Sequence, residues 1–192
     1  MNNKKIIIAF IGFKQVGKST AAKYLKENYG YKSHNFKDSL VTEMKENFPD
    51  LLKEIQYDLW YTACTKTDDW DQAIPSIDYL FNLKPPLMRA LMQNYGTDVR
   101  RKGNKNYWVK QWRDSLPDKK VVVDDVRFLN EAECVQANGG VLIRLVRPDI
   151  ETGGEHKSET EQLHIKEDYT ISAEKGDHEA LYRELDKIMQ NE

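Results

Sequence analysis

At 192 residues the chain has the length of one domain, enough to bury a core without disulfides or metal to hold it. Its 29 Lys and Arg against 31 Asp and Glu leave a formal charge of −2, so there is no electrostatic surplus for a nucleic-acid duplex or a membrane surface. With 40% hydrophobic and 31% charged residues, it is neither a disordered chain nor a membrane-spanning one.

In chain order, Ile6–Ile11 is a continuous apolar run, the pattern of a central parallel strand buried on both faces. It leads into a Gly-Lys loop with no small-residue cleavage site, so it does not read as a signal peptide, and a cytoplasmic protein is expected. A helix is expected over about 18–28, with Ala21, Ala22, Leu25 and Tyr29 on its inner side and Gly30 as its stop. Ser33–Phe36 is expected as a second strand, 38–47 as a helix, and 50–63 as an amphipathic helix on Leu51, Leu52, Ile55, Leu59 and Ala63. Between Thr65 and Pro86 the periodicity is lost among acidic residues and prolines, and a flexible insertion is expected there. Helices follow at about 87–98 and 105–115. An apolar run ending in acid, Val121–Asp125, comes next, then a helix over 129–138 closed by Gly139-Gly140 and a strand over 141–146. A Gly- and charge-rich loop at 148–158, a short strand at 169–172 and a helix over 178–190 complete the order. Strands alternating with helices predict an α/β fold around a parallel sheet of about five strands. The two cysteines, Cys64 and Cys134, form no CxxC pair and have no His at ligand spacing, which excludes a zinc ribbon.

Gly12-Phe-Lys-Gln-Val-Gly17-Lys18-Ser19 matches G-x-x-x-x-G-K-[ST] at every fixed position, with an apolar strand before it and a helix after it. That is the P-loop signature. Its glycines let the backbone curl so that successive N–H groups face phosphate oxygens at a helix N-terminus. Lys18 is expected on the β- and γ-phosphates, the Ser19 hydroxyl on Mg²⁺ and Thr20 on the α-phosphate, with Gly12, Lys14, Val16 and Gly17 completing the triphosphate site. There is no N-K-x-D guanine-reading motif, which counts against a GTPase. Asp124-Asp125-Val-Arg127 offers a carboxylate for the Mg²⁺ shell, assigned to Asp125, and a cation two residues on; a merely polar strand end is the plainer account.

At about 100° per residue, Leu87, Met88, Leu91, Met92 and Tyr95 share one side of the helix at 87–98, while Arg89, Gln93, Thr97 and Arg100 share the other. The polar stripe is either a solvated face or a surface for a phosphate and a base edge. Trp108 and Trp112 stand at helical spacing, which suits core packing or, for one of them, stacking on a base. The run Arg100–Lys105 reads as a solvated turn or a phosphate-facing loop before it reads as a nucleic-acid patch.

Leu91-Met-Gln-Asn-Tyr-Gly-Thr-Asp98, Tyr107-Trp-Val-Lys110, Asp125-x-Arg127 with Glu131, Val146-Arg-Pro148 and His156-x-Ser-Glu159 resemble, in this order, the bacteriophage deoxynucleoside monophosphate kinases. These are adenylate-kinase-like P-loop kinases, and the resemblance spans the chain apart from about 48–86. It implies one P-loop kinase domain over 1–192, with a monophosphate-binding region at about 37–100, a helical insertion at 48–86 and a short lid-like loop at 149–161. It also implies ATP on the P-loop with Lys18 on the transferring phosphate, and Lys37 and Asp38 bordering the monophosphate. Arg89 and Gln93 are expected to contact substrate, Arg89 or Arg100 to hold the acceptor, and Trp108 to lie beside the nucleotide. Asp125 and Arg127 are expected to face the phosphates with Glu131 behind them, and His156 and Glu159 to belong to the lid. The lid carries Lys157 but no arginine, so Lys157 or Arg147 must stand in for adenylate-kinase-type lid arginines.

The expected reaction is transfer of the ATP γ-phosphoryl group to a deoxynucleoside 5′-monophosphate. The alternatives are a kinase of another phosphorylated acceptor such as phosphomevalonate or dephospho-coenzyme A, a nucleotide-binding module without turnover, and a DNA-binding ATPase using Arg100–Lys105. The expected partners are small nucleotides, with no nucleic acid and no membrane; a homodimer is left open.

Overall fold

A computed structural model describes residues 7–150 and 160–191. Five strands, β1 (Ile7–Ile11), β2 (Lys32–Ser33), β3 (Val121–Val123), β4 (Gly140–Val146) and β5 (Tyr169–Ser172), form one sheet in the order β2-β3-β1-β4-β5. Every pairing is parallel. β1 is central, and its five residues are fully buried, as its unbroken apolar sequence requires. Ile8 and Phe10 face one layer, built with Ala21 and Leu25 of helix α1 (Lys18–Tyr29) and Leu181 and Leu185 of helix α8 (His178–Asn191). Ile7, Ala9 and Ile11 face the other, with Trp112 and with Ala132 and Val135 of helix α7 (Leu129–Ala137). The period of two along the strand therefore sorts its side chains between two helical layers. This is the P-loop NTPase fold: β1 lies between β3 and β4, and the chain leaves it at the sheet's carboxyl edge, where open α/β sheets bind ligands.

The chain divides into two compact units, one of residues 1–36 with 109–192, which holds the sheet, and one of Lys37–Trp108. The second is built from helices α2 (Phe36–Asn47), α3 (Pro49–Thr67), α4 (Ile77–Leu83) and α5 (Pro86–Gln93), a π-helix over Asn94–Arg101, and the start of α6 (Tyr107–Asp114). Met44, Leu52, Ile55, Leu80, Phe81, Met88, Tyr95 and Trp108 form its core.

The structure corrects three sequence expectations. The stretch at 65–86 is not featureless: α3 continues to Thr67, and α4 forms where the Ser76 hydroxyl accepts the Tyr79 N–H at 3.1 Å and Leu80 and Phe81 are buried. Seven residues are too few to show helical periodicity, so the cap and the burial define this helix. The second strand is only Lys32–Ser33, because α2 begins at Phe36. The helix at 87–98 gives way at Asn94 to π-helical turns, so the 100° spacing used to place Thr97 and Arg100 on one stripe with Arg89 and Gln93 does not hold there. Gly96 sits in that segment with its carbonyl accepting the Trp108 indole N–H at 2.9 Å, and an added Cβ would press on Leu40 at 3.3 Å. Among the described residues no helix is long and apolar enough to cross a membrane.

Candidate active site

The loop after β1 takes its shape from three left-handed residues, Gly12 (φ 137°), Gln15 (φ 68°) and Gly17 (φ 101°), the last serving as the N-cap of α1. Lys14 and Ser19 are exposed, Thr20 is half-buried, and Val16 packs into the α1–α8 layer. The Lys18 ammonium folds back over the loop and donates to the carbonyls of Gly12 at 2.5 Å and Phe13 at 2.6 Å. Burial, and secondarily the Arg127 cation, push its pKa down to about 8, against the opposing pull of Asp124 and Asp125. One cation, two carboxylates and a second cation therefore act on each other at the carboxyl ends of β1 and β3.

Two polar clasps hold that arrangement. The buried Asn35 accepts the Asp124 N–H on Oδ1 at 2.9 Å and donates from Nδ2 to Ser33 Oγ at 3.2 Å. Reciprocally, Asp125 Oδ1 accepts the Phe36 N–H at 3.0 Å, so one oxygen of the expected metal carboxylate is spent at the start of α2. Glu131, only 3% exposed, accepts the backbone N–H groups of Arg127 at 2.8 Å and Phe128 at 3.2 Å on one oxygen. This is the acidic half of a capping box, since Phe128 has no side-chain acceptor to supply the other half. Glu131 thus holds the backbone beneath Arg127, whose side chain is exposed.

The remaining expected site residues are distributed as follows. Lys37 (half-buried), Asp38 (exposed), Arg89 (half-buried) and Gln93 (exposed) all belong to the 37–108 unit. So does Arg100, but its guanidinium is ion-paired with Glu43 and lies 5.2 Å from the ring centres of both Tyr95 and Tyr107. Glu43 also accepts from the Tyr95 hydroxyl at 2.7 Å and the Tyr107 hydroxyl at 2.9 Å, which commits Arg100 to joining the helices of its own unit. Trp108 is 3% exposed and bonded to the Gly96 carbonyl, leaving no indole face for a base. Its apolar bulk is spent on the core. His156, Glu159 and Lys157 lie outside the described residues. Sequence reasoning missed Asn35, Gln15 and Glu43, for which no motif gives a signal, and placed Arg147 only as a stand-in lid cation.

A cavity of about 260 Å³ opens beside the loop, with Gly12, Phe13, Val16, Arg144, Arg147 and Leu163 among its lining residues. A family model described as deoxynucleotide monophosphate kinase matches residues 76–185. A protein of Acanthamoeba polyphaga mimivirus named as a deoxynucleotide monophosphate kinase is 32% identical over 173 residues, covering 84% of each chain. The chain belongs to the deoxynucleotide monophosphate kinase family. A second member, the deoxynucleotide monophosphate kinase of Escherichia phage RB69, is 33% identical over 109 residues, 53% of this chain and 44% of its own. The crystal structure of TT1252 from Thermus thermophilus superimposes with a TM-score of 0.47 at 17% identity, over 97% of each chain. Family membership makes this chain a nucleoside-monophosphate-type kinase. The family match takes in Arg89, Gln93, Asp125, Arg127 and Glu131, and the P-loop precedes it.

Proposed function

We propose that the protein transfers the γ-phosphoryl group of Mg-ATP to the 5′-phosphate of a deoxynucleoside monophosphate, releasing ADP and the diphosphate. The observation that carries this reading is the half-buried Lys18 ammonium folded onto the P-loop, within the electrostatic reach of Asp124, Asp125 and Arg127, in a chain of this family. The acceptor oxygen belongs to an already ionised phosphate, so no strong general base is needed. The enzyme's task is to bring two anions into line and neutralise the charge that develops between them. Lys18 leaves the Gly12 and Phe13 carbonyls for the β- and γ-phosphates, and Arg127, steadied from below by Glu131, meets the transferring group. Arg89 and Lys37 take the acceptor phosphate, and His156 and Glu159 belong to the segment that excludes water. Arg100, paired with Glu43, supports the acceptor unit instead of touching substrate.

The oxygen donors available, the exposed Ser19 hydroxyl with the carboxylates of Asp124 and Asp125, suit Mg²⁺, a hard cation that keeps several waters. Among the described residues no group of three or more His, Cys, Asp or Glu stands ready to hold a metal, which favours a cation carried in by the triphosphate. Held there by Ser19 and Asp125, Mg²⁺ would supply positive charge to offset that of the phosphate oxygens. We place the enzyme in the cytoplasm, acting on small nucleotides.

ADP release in a coupled assay, with Mg-ATP and each common deoxynucleoside and ribonucleoside monophosphate, tests the proposal. Turnover is expected only with acceptor present and with some of the deoxynucleotides. Acceptor-independent hydrolysis, or no ADP with any of them, would replace this reading with another phosphorylated acceptor or a non-catalytic module.

A pH signature follows from Lys18. With a folded pKa of about 8 against an ordinary value of 10.5, the unfolded chain carries more protons at this site between those values. Unfolding free energy therefore gains from Lys18 as pH rises through that window, and below it the protein bears the cost of a buried charge. Phosphate charge favours the ammonium, so ATP binding near pH 8.5 is expected to take up roughly half to three-quarters of a proton, declining below about pH 7. Calorimetry in two buffers of different ionisation enthalpy measures this. Equal heats in both buffers at the higher pH would refute it.

A further inference from the structure

We infer that Arg147 is a positioning residue for the phosphate-binding loop, holding the left-handed Gln15 peptide in the orientation that turns the next N–H toward phosphate. The inference rests on the triphosphate-binding reading above, and it assigns Arg147 a task other than direct contact with nucleotide.

Gln15 has φ 68°, where an L side chain crowds its own backbone, although a glycine would take that conformation freely. The loop nonetheless places glutamine there, so something outside the loop must hold the conformation. Among the described residues Gln15 is held at its carbonyl, which accepts Arg147 Nη1 at 2.7 Å. The rest of the guanidinium is held in turn: Asp149 receives Nε at 2.7 Å on one oxygen and Nη2 at 3.3 Å on the other. This fork-to-carboxylate pairing fixes the plane of the arginine, and the Arg147 side chain is 16% exposed.

A trans peptide sets its C=O and N–H antiparallel, and no cis peptide is present among the described residues. Pinning the Gln15 carbonyl on Arg147 therefore aims the Val16 N–H to the opposite side of the loop. If that peptide rotated about Gln15 ψ and Val16 φ, the N–H would be withdrawn and a carbonyl dipole would turn toward the anion. At the loop's other end Gly12 lies so close to the Leu145 carbonyl that an added Cβ would come within 2.5 Å of it. Leu145 of β4 and Arg147, just beyond that strand, thus hold the loop twice, at Gly12 by contact and at Gln15 by hydrogen bond. All three guanidinium nitrogens are already engaged, so Arg147 is poorly placed to serve also as a lid arginine on phosphate.

The test is a double-mutant cycle of Arg147→Ala and Gln15→Gly, read as the Kd for Mg-ATP together with kcat and the KM for ATP and for acceptor. Arg147→Ala is expected to weaken ATP binding about tenfold, the scale set by one hydrogen bond to a charged group, with acceptor KM and kcat moving less than about threefold. In the Gln15→Gly background the same replacement is expected to cost less than about threefold, because glycine takes the left-handed conformation without a clamp. Arg147→Lys should fall between, since one ammonium does not reproduce a planar fork spanning Gln15 and Asp149. An equal loss in both backgrounds would mean that Arg147 acts on the nucleotide directly and would overturn the inference, as would no loss at all. The same four proteins are also compared by thermal unfolding without nucleotide, where non-additive midpoints are expected and additive ones count against the clamp. Failure of the wild-type protein to bind ATP would sink the functional reading instead, and the nucleotide-free cycle would then judge the clamp alone.

Discussion

Lys18→Met is expected to lower kcat by about 10³-fold while the protein stays folded, which is the scale of removing one preorganised charge from a developing phosphoryl anion. The collapse should appear in kcat, because the lysine's contribution grows as charge moves toward the leaving oxygen. Stability should change by no more than a few degrees in thermal midpoint. The ammonium that methionine replaces is held at a pKa of about 8 by burial, so at neutral pH it is a cost to the folded state that its two carbonyl bonds only partly offset. Steady-state ADP release and a thermal unfolding curve on the same preparation separate the two effects. Turnover near wild type would remove Lys18 from the reaction and, with it, the roles assigned to Asp125 and Arg127.

The second large effect is expected from Gly12→Ala. The new methyl would lie 2.5 Å from the Leu145 carbonyl oxygen and 3.0 Å from Val16 Cγ2, at a φ of 137° that L-residues avoid. Neither neighbour yields easily: one is backbone in β4, and the other packs in the α1–α8 layer. A destabilisation of about 2–4 kcal/mol is expected, with ATP affinity falling more than tenfold as the loop shifts. Gly30→Ala is the control, because Gly30 also has positive φ (71°) but no atom within 4 Å of its added Cβ. That variant should lose only about 1–2 kcal/mol, the cost of the conformation without the clash. Equal losses at the two positions, in calorimetric unfolding, would show that the approach of β4 to the loop has no energetic weight.

Much of this protein is legible in short contiguous stretches. The apolar run of β1, the Gly-Lys pattern of the loop and the helix stopped at Gly30 are each visible within a few residues, and the structure places these elements where the pattern does. The three-residue β3 and the final helix follow for the same reason, since an apolar run or stripe needs only a covering layer. The seven-residue α4 and the π-helical turns were not legible. The former owes its existence to a cap and two buried side chains, the latter to packing around Gly96 and Trp108. Both are decided by neighbours brought in from elsewhere in the chain.

The sequence by itself therefore determined the phosphate-binding loop, its lysine and the parallel α/β scheme, because backbone curvature, charge and hydrophobic period are local properties. Only the tertiary structure decided which polar groups are already engaged. Arg100 is taken by Glu43, 57 residues away, and Arg147 by the Gln15 carbonyl, 132 residues away. Asn35 reaches across to the end of β3, and Glu131 turns back onto the backbone that carries Arg127. For Arg147 and Asn35, partners so far apart in sequence meet because the order β2-β3-β1-β4 sets the relevant strand ends side by side, and no residue in that order announces its neighbour in advance.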